Sequence, residues 1–403
     1  MGGDTGVASH SRTLQDKHIL LAVSGGIAAT ESVKISRELR RHGAHVSAMM
    51  TRSAQKVISP LAVSWGSGSD VLTEWKPEMS QLGQFDGVLV APATRNSIAK
   101  HVNGITDSPV MMALASASGN GTPILFVPSM HEDLFDSQVT IDLIGDLEKL
   151  GHGVLLSDSE EGKRKQPDPV SLVAHFSNFI NRAMNGRKRV VVTLGSNREP
   201  IDSVRAVHNT SSGRTGWAIA EHLHRMGHQV TCIVGHTSSQ PSFQLPDVRV
   251  DHSSEGMLEI SLELAGSSDG PHAWVHSAAI LDYIPESSVG KRPSGKGKWE
   301  ISLHPGPKHL ERLASSVNGS TQIGFKLEVG TDYEELEKSA QKLLEKYELD
   351  AVIANLLREA RGNSPIRCRL ITPDGKSTDI KTQIEMCESI ECLISTIVPN
   401  SNE

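Results

Sequence analysis

Apolar runs punctuated by glycine, proline and serine recur along this chain, with room for one amphipathic helix between each pair. His18-Ile-Leu-Leu-Ala-Val23 runs into Ser24-Gly-Gly26, and the helical period from Glu31 to Arg41 follows; His45–Met50, Gly87–Ala91 and Pro123–Pro128 repeat the pattern. A second series starts at Val190-Val-Val192 and continues through Gln229–Gly235, Ala273–Ala279, Gln322–Phe325 and Leu349–Asn355. Unbroken apolar runs suit strands buried on both faces, and their alternation with helices predicts an α/β chain with mainly parallel sheets. In such sheets ligands bind beyond the carboxyl ends of the strands. Ser24–Gly26, Thr51-Arg-Ser53, Ala91-Pro-Ala-Thr94 and Pro128-Ser-Met-His131 all fall at those ends in the first series.

The two series imply two domains, since 403 residues exceed what one hydrophobic core usually serves. Asn181 to Arg189 is polar, basic and glycine-containing, lies between a helix over Pro169–Met184 and the strand at Val190, and reads as a linker. The expected divisions are a disordered tail over 1–16, one domain over 17–185 and another over 186–403. No sequence repeat relates the halves.

Composition narrows the function classes. A hydrophobic share of 37% with 22% charged residues is that of a soluble globular protein, and no stretch approaches the ~20 apolar residues of a membrane span. Met1 to Gln15 has no apolar core of a secretory signal, so the expectation is a cytoplasmic protein without a membrane partner. Cys232, Cys368, Cys387 and Cys392 show neither Cys-x-x-Cys spacing nor a neighbouring histidine pair, which argues against a zinc or disulfide framework; no metal ligands are assigned. The net charge of −7 disfavours nucleic acid, although Lys291, Lys296 and Lys298 gather where a small polyanion would be held.

The densest chemistry lies in Thr193-Leu-Gly-Ser-Asn-Arg-Glu-Pro-Ile-Asp-Ser-Val-Arg-Ala-Val-His-Asn209-Thr-Ser-Ser-Gly-Arg-Thr-Gly216. Gly195 and Ser196 allow a tight turn after the strand. Ser211-Ser-Gly213 supplies capping chemistry before a helix from Trp217 to Arg225, a place where amide donors suit an anion. This segment resembles the signature of the phosphopantothenate–cysteine ligase family of coenzyme A biosynthesis, with Ser196-Asn197 as the main departure. The resemblance continues in order through Ala278-Ala279-Ile-Leu-Asp282, Gly290-Lys291 to Lys296, Gly324-Phe325 and the pair Lys342 and Lys346. It implies a dimeric ligase that activates a carboxylate with CTP and magnesium. Asn209 would hold the carboxylate and acyl-cytidylate, with Gly195 and Ala279 beside the substrate. Asp282, Lys291, Phe325, Lys342 and Lys346 would surround the nucleotide, and Lys291 would stabilise charge as pyrophosphate departs. Read from spacing alone, Lys342 and Lys346 have the usual pattern of a solvated i,i+4 helix face, and Asp282 and Phe325 fit a strand-end turn residue and a core residue. After Ala354-Asn355 the chain departs from the family, with Leu356 to Asn363.

The first half resembles the flavin-containing cysteine decarboxylase family through Ser24-Gly25-Gly26, Thr51, Ala91-Pro-Ala-Thr94 and Asn103-Gly-Ile-Thr-Asp-Ser108. That resemblance implies a flavodoxin-like, FMN-binding domain assembling as trimers or larger homo-oligomers. Ser24, Gly25, Gly26, Ala28, Thr51, Ser53, Thr94 and Asn96 are its flavin-site candidates. Departures accompany it. Glu78 stands where the family places a histidine, and no cysteine precedes Cys232. His131 in Pro128-Ser-Met-His131 is the candidate for gripping a carboxylate or moving a proton, against the plain alternative of a solvated loop histidine. Glu160-Glu-Gly-Lys-Arg-Lys165 is similar to an archaeal lid loop and equally to a charge run.

Together these resemblances imply a bifunctional enzyme of archaeal type. It would ligate cysteine to 4'-phosphopantothenate and then decarboxylate the product to phosphopantetheine. The rival expectations are an active ligase whose first half only binds flavin and scaffolds the oligomer, and a nicotinamide oxidoreductase. Neither half carries the Gly-x-Gly-x-x-Gly fingerprint that the last would need.

Overall fold

The computed structural model describes residues 6–77, 82–295, 297–360 and 364–396. The chain divides into two compact units, one ending at Ala183 and the other beginning at Met184, with Arg225–Gly227 grouped with the first.

The first unit holds a six-stranded sheet: β1 (His18–Val23), β2 (His45–Met50), β3 (Val71–Leu72), β4 (Gly87–Ala93), β5 (Ile124–Pro128) and β6 (Gly153–Val154), in the order β3-β2-β1-β4-β5-β6, with every pairing parallel. Alternate side chains of a strand point to opposite faces. Ile19, Leu21 and Val23 accordingly join Ile35, Leu39, Leu172 and Phe176 on one face, while Leu20 and Ala22 join Ile98, Leu114, Phe126 and Leu147 on the other. Helices Ser32–Arg41 and Pro169–Asn181 cover the first face; Arg95–Val102, Pro109–Gly119 and Gln138–Lys149 cover the second. The order of strands reverses between β1 and β4, which opens a crevice at their carboxyl ends.

Part of the expected tail is corrected. Leu14 is fully buried in the core beside the helix Ser32–Arg41, the Leu14 amide donates to the His42 carbonyl at 2.8 Å, and Ser11 Oγ lies 2.6 Å from His42 Nδ1. Ser11 and Thr13 are buried beside Leu14 and the His10 amide donates to the Arg41 carbonyl, so hydrogen bonds as well as one apolar side chain dock a segment whose composition reads as disordered.

The second unit holds an eight-stranded sheet: β7 (Arg189–Leu194), β8 (Gln229–Val234), β9 (Asp247–Val250), β10 (Ala273–His276), β11 (Thr321–Glu328), β12 (Ala351–Leu356), β13 (Cys368–Ile371) and β14 (Ser377–Ile380). Its order is β9-β8-β7-β10-β11-β12-β13-β14, parallel as far as β12 and antiparallel at β13 and β14. The order reverses at β7, so the Gly195 turn sits at a second switch point. The expected mainly parallel α/β architecture therefore stands, with β3, β6, β9 and the β13–β14 hairpin added at the edges. Leu356 to Asn363, read as a departure, begins with a short helix over Leu357–Ala360. Its buried Glu359 pairs with Arg369 of β13 at 3.2 Å and accepts the Leu356 amide at 2.8 Å. Residues 361–363 lie outside the described residues.

Both units bury histidines in their uncharged form. His101 and His152 sit Nε2 to Nε2 at 2.9 Å against Phe126, and burial pushes His101 down to about 4 and lowers His152. Burial also brings His42 and His276 to about 4. A histidine whose folded pKa lies below its unfolded value binds more protons when unfolded, so its stabilising share is present above about 6.5 and is lost as pH falls toward about 4. We expect the unfolding temperature to drop across that window, ahead of the carboxylates Glu38 and Glu391, which hold near 2. Thermal melts at pH 7, 6, 5 and 4 check this; His101→Gln, which keeps a partner for His152, should flatten the slope, and a flat wild-type profile would contradict it.

Candidate functional site

At the first switch point Ser24 is buried and ties the two strand ends together. Its hydroxyl donates to the Pro92 carbonyl at 2.7 Å and accepts the Thr94 amide at 2.9 Å. The peptide between Ala91 and Pro92 is cis. Thr94 then caps the helix Arg95–Val102, accepting from the Ser97 amide at 3.4 Å, and Ser108 caps Pro109–Gly119 in the same way. Both capped ends border a cavity of about 590 Å³. Helix starts carry unsatisfied amide donors and partial positive charge, so the cavity favours a phosphate.

Of the expected flavin residues, Gly25, Thr51, Ser53, Thr94 and Asn96 line this cavity. Ser24 stands behind it, holding Thr94, and Gly26 and Ala28 form the backbone that continues from Gly25 into the turn Ile27–Glu31. Gly25 admits no side chain: a Cβ there would meet Ser53 Cβ at 2.3 Å and the Ser53 backbone carbon at 3.0 Å. Arg52, Glu74, Trp75, Lys100 and Ser108 also line the cavity and were not among the expected site residues. Arg52 and Ser108 lie within the motifs Thr51-Arg-Ser53 and Asn103 to Ser108, and the capping serine before Pro109 is a further signal for that wall.

His131 is placed elsewhere. It is exposed, pairs with Lys163 in a three-stranded ribbon made of Met130–His131, Lys163–Arg164 and Ser159–Glu160, and is absent from the cavity lining. The presumed lid is thus hydrogen-bonded to the Pro-Ser-Met-His strand, a tertiary pairing no spacing announces. Lys165 pairs with Glu160 and Glu161, while the Arg164 guanidinium lies 4.1 Å from the centre of the Phe135 ring. Glu78 lies outside the described residues. No cysteine falls in the first unit, and burial pushes the thiols of Cys232, Cys368 and Cys387 up to about 12.

At the second switch point Gly195 has φ +83°, and a Cβ would come within 2.8 Å of the His236 carbonyl. Ser196 stitches the turn to both sides: its amide donates to the His236 carbonyl at 3.0 Å, and the Ala279 amide donates to the Gly195 carbonyl at 2.8 Å. Asn197 is fully buried, accepts the Leu281 amide at 3.2 Å and places its amide nitrogen 3.2 Å from Met257 Sδ. The Ser-Asn departure is therefore a structural anchor.

Asn209 reaches the same loop, its amide nitrogen donating to the carbonyls of Ala279 and Ile280 at 3.1 and 3.3 Å. Both of its donors are engaged, so a carboxylate there would have to displace one of these bonds. Beyond it, a cavity of about 340 Å³ brings together Asp282, Phe325, Lys308, Lys326, His276 and Tyr347. Asp282 pairs with Lys308, and Lys326 with Glu328 at 3.2 Å. His276, under Trp274 and 3.3 Å from Gln322, is uncharged at neutral pH because it is buried.

Asp282 and Phe325 are thus brought together, while Lys342, Lys346 and Lys291 are not among the lining residues. Lys342 and Lys346 are exposed on the helix Tyr333–Tyr347, whose Leu343 and Tyr347 face the cavity instead. Lys291 is exposed on a loop, and Lys296 lies outside the described residues. The sequence reading missed Lys308 and Lys326, since isolated lysines carry no spacing signal. A further cavity of about 560 Å³ on the other side of the Gly195 turn is lined by His236, His252, Gln240 and Trp217, also unforeseen.

Comparison with known proteins places these sites in context. The model of the flavoprotein family matches residues 7–181, and that of the DNA/pantothenate metabolism flavoprotein C-terminal domain matches residues 185–395. The coenzyme A biosynthesis bifunctional protein CoaBC of Thermococcus kodakarensis is 36% identical over 358 residues, covering 87% of this chain and 88% of that one. The protein of the same name from Methanocaldococcus jannaschii is 34% identical over 368 residues, with 90% and 89% covered. A crystal structure of the C-terminal domain of a CoaBC protein has a TM-score of 0.42 and 26% identity, covering 53% of this chain and 96% of that chain.

Proposed function

This chain belongs to the bifunctional CoaBC family of coenzyme A biosynthesis, and from that premise we propose that its second half makes phosphopantothenoylcysteine and its first half decarboxylates it. The observation that carries the ligase reading is the meeting of Asp282 and Phe325 in one cavity beyond β10 and β11, next to the loop that Asn209 holds. A carboxylate oxygen is a poor leaving group, so the acid is first joined to CMP. The carboxylate of 4'-phosphopantothenate attacks the α-phosphorus of CTP, pyrophosphate leaves, and the cysteine amine then displaces CMP. Magnesium enters with the triphosphate as part of the substrate. In this reading Asn209, Gly195 and Ala279 hold the acyl end, and Asp282 and Phe325 flank the nucleotide. Lys291, Lys342 and Lys346, exposed outside the cavity lining, are the cations assigned to the phosphates, where a positive charge brought to the departing pyrophosphate stabilises the transition state more than the ground state. Purified protein given CTP, magnesium, cysteine and 4'-phosphopantothenate is expected to release CMP and pyrophosphate; no product would sink the reading.

The first cavity suits FMN. Two capped helix starts and the hydroxyls of Thr51, Ser53 and Thr94 suit its phosphate, and the close approach at Gly25 leaves room where a side chain would intrude. Bound flavin would accept two electrons from the thiol-bearing end of the substrate, which eases loss of carbon dioxide, and would return them with a proton to the resulting enethiol to give phosphopantetheine. Ser24 keeps Thr94 oriented, and His131 is the residue assigned to the substrate carboxylate. The two halves, divided between Ala183 and Met184 with Leu14 in the first core, act in the cytoplasm as homo-oligomers built from ligase dimers and decarboxylase-like trimers.

A second reading has two observations in its favour: His131 lies outside the cavity of its own chain, and no thiol occurs in the first unit. The first half would then bind flavin and organise the oligomer without decarboxylating. Carbon dioxide release from phosphopantothenoylcysteine by the wild-type protein, lost in His131→Ala, rejects that scaffold; a yellow protein with ligase activity and no carbon dioxide release establishes it.

A further inference from the structure

The peptide that carries Lys291 is fastened on both sides to one short segment, residues 202–205. On one side, the Ser203 amide donates to the Gly290 carbonyl at 2.9 Å and the Gly290 amide to Ser203 Oγ at 3.1 Å. On the other, the Arg292 amide donates to Asp202 Oδ2 at 3.3 Å. The Arg205 guanidinium reaches the same Oδ2 at 2.5 Å and the Arg292 carbonyl at 3.4 Å. Trp299 completes the fastening, with the guanidinium carbons of Arg205 and Arg292 at 4.9 and 5.1 Å from its ring centre. Lys291 itself is exposed between these anchors.

We propose that Asp202 is a positioning residue for the ligase reaction, acting through Lys291 by fixing the backbone of residues 290–292. The inference rests on the reading that Lys291 serves the nucleotide phosphates. Asp202 has the means: it is 2% exposed, and its other oxygen, Oδ1, accepts the amides of Val204 and Arg205 at 2.9 and 2.8 Å. One carboxylate thus closes its own turn with Oδ1 and grips the facing loop with Oδ2. Those amides, that of Val204 foremost, hold its carboxyl at about 2, so the grip persists over the whole working pH range. With positions 290 and 292 held, Lys291 reaches the phosphates by side-chain rotation alone, without a search by the whole loop. Positioning of this kind matters because small misplacements of a charge in the transition state cost rate steeply.

Asp202→Asn separates the two jobs. Its remaining oxygen can still accept from Val204 and Arg205, while the amide nitrogen presents a donor to the Arg292 amide and the Arg205 guanidinium. The expected result is about a 10²-fold loss of kcat in pyrophosphate release, read below the onset of melting because the buried donor-to-donor contact lowers stability, with bound flavin retained. Asp202→Glu should recover part of the rate. The decisive measurement is the cycle with Lys291→Gln: the double variant should be no slower than Lys291→Gln alone, because residues acting through one another are not additive. Where steady-state turnover of Lys291→Gln is too slow to follow, single-turnover release of pyrophosphate with enzyme in excess carries the same cycle. Losses that multiply, or an Asp202→Asn enzyme of wild-type rate, overturn the proposal. A wild-type rate in Lys291→Gln overturns instead the reading of Lys291.

Discussion

Lys291→Ala is expected to slow CMP and pyrophosphate release by about 10²–10³-fold in kcat, the usual loss when one preorganised charge or donor is removed from a developing anion. The loss should appear equally in kcat and kcat/KM for CTP, because the ammonium is most needed when negative charge shifts onto departing pyrophosphate. Lys291 is exposed, and no ion pair or hydrogen bond of its side chain is found among the described residues, so its removal should leave the fold intact. Asn209→Ala is expected to be comparably slow for a different reason. Its amide nitrogen holds the carbonyls of Ala279 and Ile280, so truncation frees the loop that leads to Asp282 as well as removing a ligand for the acyl group. Asn209→Asp removes the donors while keeping the size, and should remain slow. Steady-state assays of the three variants, read beside their melting curves, check both claims; an Asn209→Ala enzyme with wild-type kcat would remove that residue from the site.

Gly25→Ala should yield a colourless protein that still ligates. The added methyl would sit 2.3 Å from Ser53 Cβ and 3.2 Å from the Ala54 amide nitrogen, so the segment that carries Thr51 and Ser53 must move. Overpacking of this order costs about 1–3 kcal/mol, and here it falls on a wall of the cavity assigned to FMN. We expect flavin affinity to drop by roughly 10- to 100-fold, the equivalent of that cost, with loss of the yellow colour on desalting. Ligase turnover should stay at the wild-type level, since the substitution touches only the first unit. Retained flavin with an unchanged visible spectrum would show that Gly25 does not border the flavin.

Neither result depends on pH in the neutral range. The buried histidines are uncharged there, and Asp202 remains ionised. Acid sensitivity between about 6.5 and 4 should therefore register as lost stability before it registers as lost chemistry.

The sequence by itself determined the two parallel sheets, because strands buried on both faces must be apolar along their whole length and those runs are visible in the chain. It also located the two switch-point turns, since glycine at positions 25 and 195 answers a local steric demand. The edge strands escaped notice for the complementary reason: Ser377–Ile380 buries only its last residue, so no apolar run marks it. Tertiary structure decided how the candidate residues group. Asp282 and Phe325 are far apart in sequence and share one cavity because β10 and β11 are neighbours. Lys342 and Lys346 are exposed outside that cavity, which Leu343 and Tyr347 of the same helix line. His131 lies outside the first unit's cavity and pairs with Lys163 instead, and the backbone beside Lys291 is held by a carboxylate 89 positions before it. Periodicity and turn chemistry are local and can be read along the chain; hydrogen bonds and ion pairs between distant loops exist only once the sheets have brought those loops together.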